Sequence, residues 1–277
     1  MNTNICFFIA TCLKNQLHVN QLIRCLTSIK LYHNDSTIYL INDSDDSFDN
    51  FSNIQSMFSN IIVLKTLKKG SADQQVFKFI MNIQNNKFTH FFIMQDSMIL
   101  NNELKNIDTI KNVKFLWHFT NHILHWDIIN EPNTEYNIQN NIKSHTDLIR
   151  HHLKKYYTED EDFLLYALEA LNDKKKWCGC SGCCCIITKE CIEFLNSKIN
   201  FVDKFINNTS NRERRMNESL FSLICHYYLP NNNYHDSYDG LQYDGYNNPT
   251  LTGTPTGFDN LTYYRKTHYT SKVSFNR

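Results

Sequence analysis

Apolar and polar positions alternate in blocks along the first hundred residues. Residues 4–12 form an apolar run rich in aromatic and β-branched side chains, which suits a buried strand. Val19, Leu22, Ile23, Leu26 and Ile29 then recur at helical spacing and predict a helix over 18–32. A second strand is expected over 36–41, ending in the polar cluster Asn42, Asp43, Ser44, Asp45 and Asp46. A short helix over 48–58 and a strand over 60–66 follow. The next helix opens at Gly70 and runs to residue 85, turning Phe77, Ile80 and Met81 to a core. The fourth strand, 88–94, drives into a lone carboxylate, Asp96, and apolar residues resume at Met98. Such alternation implies right-handed crossovers and an α/β fold with a mainly parallel central sheet flanked by helices. In an open sheet of that kind ligands sit beyond the carboxyl ends of the strands, which makes Asp96 the first candidate for chemistry. The competing reading is an Asp that caps a turn or helix.

The second half is less regular. A strand is expected over 113–119, and helices over 144–157 and 159–171. The small-residue segment 177–185 leads into a strand over 184–188 and a helix over 189–198, and a final long helix spans 211–228. From Pro230 onward the chain is rich in Asn, Gly, Tyr and Pro and reads as an irregular C-terminal tail over a binding face. No repeat or linker stands out. One compact domain is expected, with a binding half at 1–110 and a second half at 111–277.

Composition narrows the function. The 277 residues carry 28 Lys and Arg against 28 Asp and Glu, a formal net charge of zero, which argues against a nucleic-acid binder. Arg212, Arg214 and Arg215 read as part of a solvated face. The first apolar run lacks a basic flank and no run reaches bilayer length, so neither signal peptide nor membrane span is expected. The 10 Cys are accordingly expected as reduced thiols in the cytoplasm.

Polar groups recur at strand ends: Thr11 after the first, Asp43, Asp45 and Asp46 after the second, Asp96 and Ser97 after the fourth. Backbone N–H groups near Gly70 suit an anion. Carboxylates beside a diphosphate make sense if one contacts the nucleoside and another holds Mg²⁺ or Mn²⁺, which takes few protein carboxylates. Cys178, Cys180, Cys183, Cys184, Cys185 and Cys191 crowd one segment without a second Cys-x-x-Cys knuckle. They read as small buried hydrophobes ahead of a zinc site. His118, His122 and His125 have no accompanying acid, and Trp117, Trp126 and Trp177 suit either a sugar platform or core packing.

On these residues the chain resembles GT-A fold glycosyltransferases, whose successive nucleotide-binding elements look like residues 5–15, 38–46, 70–83 and 91–97. It is similar in particular to glycosyltransferase-like proteins of large DNA viruses, which carry Asp-Ser after this strand and a later Gly-Cys-x-Gly segment. The resemblance implies a Rossmann-like domain moving a sugar from a nucleotide-sugar, a UDP-sugar first, to a hydroxyl acceptor such as a glycan. Thr11, Asp43, Asp45 and Gly70 would serve the nucleotide, and Asp96 and Ser97 stand where the family has an Asp-x-Asp motif. Gly179 and Gly182 match a small-residue strand that lets backbone approach the donor sugar. Glu218 is the implied general base of an inverting displacement, with Asp160, Glu161 and Asp162 as rivals and a surface pair with Arg214 or Arg215 as the bland reading. Lys266 and His268 of the tail are candidates to close over the diphosphate, His268 joining Asp96 on a Mn²⁺ or Mg²⁺ ion. The motif here holds one carboxylate instead of two, which puts the metal in question. It also keeps open a relative that binds glycan or nucleotide without turnover. A sugar nucleotidyltransferase is a further alternative, though no basic glycine-rich signature lies near the first strand.

Overall fold

The computed structural model describes residues 5–44, 51–84, 87–100, 103–104, 107–116, 118–119, 144–173, 177, 179–206, 211–232 and 261–263. The first half follows the periodicity closely: β1 (Ile5–Thr11), α1 (Gln16–Tyr32), β2 (Thr37–Asn42), α2 (Phe51–Met57), β3 (Ile61–Lys65), α3 (Ala72–Asn82) and β4 (His90–Gln95). A short β5 (Met98–Leu100) follows the Asp96 turn, then β6 (Val113–Phe115) and β7 (His118–Phe119). The rest comprises α4 (His145–Tyr156), α5 (Glu161–Ala170), β8 (Gly179–Cys180), β9 (Cys185–Thr188), α6 (Lys189–Ile199), α7 (Phe201–Lys204), α8 (Asn211–Tyr228) and β10 (Leu261–Tyr263).

One six-stranded sheet runs in the order β3-β2-β1-β4-β9-β6. β1 to β4 are mutually parallel where they pair, whereas β9 lies antiparallel to both β4 and β6. The sheet is therefore mainly parallel as expected, and the second half of the chain adds its reversed edge. Side-chain alternation splits the core in two. Cys6, Phe8, Phe91 and Ile93 face one side with α3 and α8. Phe7, Ile9, Phe92 and Met94 face the other with α1. Because β1 and β4 are covered on both faces, they read in sequence as unbroken apolar runs. Complete burial of a Phe such as Phe7 or Phe92 contributes on the order of 1.5–3 kcal/mol.

Three expectations are corrected. The strand expected over 113–119 breaks at Leu116, and its two parts join different sheets, β6 the main sheet and β7 a two-stranded ribbon with β8. The helix expected from Gly70 begins at Ala72. The tail is not loop throughout, since β10 pairs antiparallel with β5. Among the described residues no helix is long and apolar enough to cross a membrane.

Candidate functional site

The strand order places the site. From β1 the chain winds outward to β2 and β3, then returns across β1 to β4, so the order reverses between β1 and β4. A crevice opens at the carboxyl ends of strands where such a reversal occurs. Register puts Thr11 and Asp96 there: Ala10 pairs with Gln95, and each chain then leaves its strand. Thr11 Oγ1 donates to Asp96 Oδ2 at 2.8 Å, and the Cys12 N–H also donates to this carboxylate. Burial raises the Asp96 pKa, and these two bonds together with His18 and Arg214 pull the other way. His18 sits in the first turn of α1, which Asn15 caps through a bond from the His18 N–H. Its Nδ1 lies 3.2 Å from the Cys12 carbonyl oxygen.

The neighbouring strand end is organised differently. Asp43 accepts the Gly70 N–H on both carboxylate oxygens at 2.9 Å and the Thr66 hydroxyl at 2.7 Å. Gly70 adopts φ +81°, the left-handed region where glycine costs least. The Gly70 N–H that sequence alone offers to a bound anion is thus engaged by Asp43. Asp43 and Gly70 come together, though as a brace between the loops after β2 and β3. The Asp43 N–H donates to the Thr11 carbonyl at 2.8 Å, tying this brace to the β1 end.

The second half of the chain reaches the same edge because β9 is antiparallel. Its first residue, Cys185, pairs with Ile93 near the end of β4, so the turn before it arrives beside Gln95 and Asp96. Gly182 in that turn has φ +62°, and a Cβ there would lie 2.2 Å from Gln95 Nε2. The Gly182 N–H donates to the Glu218 carboxylate. Glu218 is held on α8, whose neighbours Met216, Leu220 and Phe221 sink into the core. Asn217 clamps that helix to the chain entering it, accepting from the Ile206 N–H at 3.1 Å and donating to the Ile206 carbonyl at 2.8 Å.

Glu218 is buried, with 4% of its side chain exposed, and Arg214 Nε donates to it at 3.2 Å. Burial raises its pKa, while Arg214, the Gly182 N–H and Arg215 favour the charged form and Asp73 opposes them. The Arg214 pair expected of a solvated helix face therefore exists, but its acid is internal. Of the rival acids, Asp160 caps α5 by accepting the Phe163 N–H at 2.9 Å and takes the Tyr228 hydroxyl.

Other candidates fall elsewhere. Ser97 is half-buried in the turn after β4, and Gly179 pairs with Phe119 in the small ribbon. Trp177 is core, its Nε1 donating to the Ala170 carbonyl at 2.8 Å, so it is no sugar platform. Cys180, Cys183 and Cys184 are buried, and burial pushes their thiols well up, as for small hydrophobes. Asp45, Lys266, His268, Trp117, Trp126, His122 and His125 lie outside the described residues. Among the described residues no group of three or more His, Cys, Asp or Glu is placed to hold a metal ion. Asp96 is half-buried and accepts two protein hydrogen bonds, which take up part of the acceptor capacity an ion would use.

His18 joins the site without having been singled out in the sequence, and Arg214 joins it from what the sequence offered only as a solvated face and a surface pair. The polar turn from β1 into an Asn-capped helix was a usable signal for His18, since the first strand-to-helix turn borders the switch point. Arg214 had none beyond its spacing of four from Glu218.

No family model matches the sequence, and no match is found among curated proteins. Among solved structures the chain is similar to the mannosyltransferase Ktr4p from S. cerevisiae, at 10% identity and a TM-score of 0.42 over 79% of this chain and 65% of that protein. A second is core-mannan synthase A from Aspergillus fumigatus in its Mn/GDP form, at 10% identity and TM-score 0.42, covering 81% of this chain and 70% of that one. A third, TarS from S. aureus, aligns at 12% identity and TM-score 0.27 over 35% of this chain and 18% of TarS. Likenesses this distant leave the site to be read from its own residues.

Proposed function

We propose that this chain is a GT-A-type glycosyltransferase that takes a sugar from a nucleotide-sugar, UDP-linked first among the candidates, and passes it to a hydroxyl acceptor by an inverting displacement. The observation that carries the reading is the convergence of Thr11, Asp96 and Glu218 at the reversal of strand order. The nucleoside sits over the β2 end beside Asp43 and the Gly70 loop it braces, and the diphosphate beside Asp96 and Ser97. Glu218 accepts the acceptor hydroxyl proton as that oxygen bonds to the anomeric carbon. The bond from that carbon to the diphosphate breaks, and its electron pair leaves on the nucleoside diphosphate. Burial raises the pKa of this internal carboxylate and so makes it a stronger proton acceptor, while a guanidinium and one N–H favour its charged form. Lys266 and His268 of the tail are proposed to reach the leaving diphosphate.

A reading of binding without turnover also has an observation in its favour: Glu218 is already engaged by Arg214 and Gly182. Incubation with a panel of nucleotide-sugars, scored for nucleotide release and for transfer to oligosaccharides, separates the two. Turnover with at least one donor is expected. Tight nucleotide binding with no release from any donor would replace the enzyme by the binding protein.

A further inference from the structure

The donor site needs positive charge, and the described acids at its centre add negative charge. Asp96 stands at the end of β4 and Glu218 on α8, and Gly182, whose N–H binds Glu218, lies against Gln95 beside Asp96. Arg214 lies between them in charge: its Nε donates to Glu218 at 3.2 Å, and it is near enough to Asp96 to favour that group's ionised form. Of the Arg214–Glu218 pair the guanidinium is the reachable member, with 26% of its side chain exposed against 4% for the acid. A planar guanidinium with five donors matches phosphate oxygens in pairs. The motif acid is single, and Thr11 and the Cys12 N–H already donate to it.

We infer that Arg214 is the group that receives the donor's diphosphate, so that diphosphate recognition by this site does not require a divalent ion. This rests on the donor-site reading above and deepens it. On binding, the fork of Arg214 shares its charge between Glu218 and the phosphate oxygens. Release of Glu218 from part of that pairing then makes it a stronger proton acceptor once the donor is in place. The two acids and Arg214 form one relay in which diphosphate binding prepares the base.

Isothermal titration of the full chain with UDP, GDP and ADP and with the parent nucleosides, all in excess EDTA, tests this. For the cognate base the diphosphate is expected to bind about 10- to 100-fold more tightly than its nucleoside, the range of one charge-assisted bond. In Arg214→Gln that preference should collapse toward unity while nucleoside affinity is kept, and Arg214→Lys should restore part of it. Arg214→Gln leaves a buried acid with one donor fewer, so the double variant Arg214→Gln/Glu218→Gln, which removes both charges, provides the same readout in a fold without that strain. A preference that survives in both variants, or that appears only when Mn²⁺ is added, overturns the inference and leaves the donor site standing. Failure of every nucleoside and nucleotide to bind overturns the donor reading itself.

Discussion

The ends of β2 and β4 each present an acid one residue beyond a buried strand, yet the two acids live in different surroundings. Asp43 is surrounded by donors from its own neighbourhood, the Gly70 N–H and the Thr66 hydroxyl, and its work is to hold two loops together. Asp96 accepts from Thr11 and Cys12, but it also faces His18 and Arg214 from two helices that approach from opposite halves of the chain. Similar local signatures therefore yield a brace in one place and an acid met by a remote imidazole and guanidinium in the other. What separates them is which remote elements the topology brings to each strand end.

The sharpest way to break the contrast is at the far side of the relay. Glu218→Gln keeps shape and burial but removes the proton acceptor, and transfer should fall by about 10²- to 10⁴-fold, with diphosphate affinity kept or raised because Arg214 loses its competing acid. Single-turnover assays with a competent donor check this at the transfer step, and an unaltered rate there would remove Glu218 from the chemistry. Next in size is Gly182→Val, which puts a β-branched side chain at φ +62° and onto Gln95. Left-handed strain alone costs about 1–2 kcal/mol, and displacement of Gln95 adds to it, so urea denaturation should show a clear loss of stability. Gln95→Ala in the same background should recover the clash but not the backbone strain.

At the brace, Asp43→Asn removes a charged acceptor of the Gly70 N–H and should cost roughly 1.5–3 kcal/mol in denaturant. Thr11→Val deletes one donor to a carboxylate, where Asp43 has several, and should cost less, about 1.5 kcal/mol. If Thr11→Val proves the more damaging to stability, the assignment of brace and relay is reversed.

The smallest effect is in the pH dependence. Asp96 and Glu218 both have folded pKa values raised by burial, so the folded state holds protons that the unfolded chain has already lost. Their contribution is then most favourable below the ordinary carboxylate range and declines as pH rises through the raised folded values. Glu218→Gln should flatten that decline in urea midpoints measured across acidic to neutral pH, whereas Asp43→Asn should leave the Asp96 and Glu218 part of it in place.

Much of the frame was legible because hydrophobic period is a local property. The run over 4–12 became Ile5–Thr11, the third strand moved by a single residue at each end, and the last helix keeps its expected bounds of Asn211–Tyr228. The acid at the end of β4 was visible because it interrupts an apolar pattern, whereas the acid on α8 became a candidate through the resemblance and its place ahead of an apolar helical stretch. The break of 113–119 into β6 and β7 was not legible, because both pieces are equally apolar and differ only in which partner strand they meet. Nor could sequence say that the Gly70 N–H would be engaged by Asp43, since that bond joins two loops through space.

By itself, then, the sequence determined the alternating strands and helices, the doubly buried β1 and β4, and the carboxylate at the end of β4, all of which follow from side-chain periodicity over a few residues. Only the tertiary structure decided that β9 runs antiparallel to β4. That direction brings Gly182 to Gln95, sets α8 over the turn, and lets Arg214 bind Glu218 while its charge acts on Asp96. The physical reason is that strand direction and charge proximity are settled by how the two halves bury their apolar faces against one sheet, which no short stretch of the chain encodes.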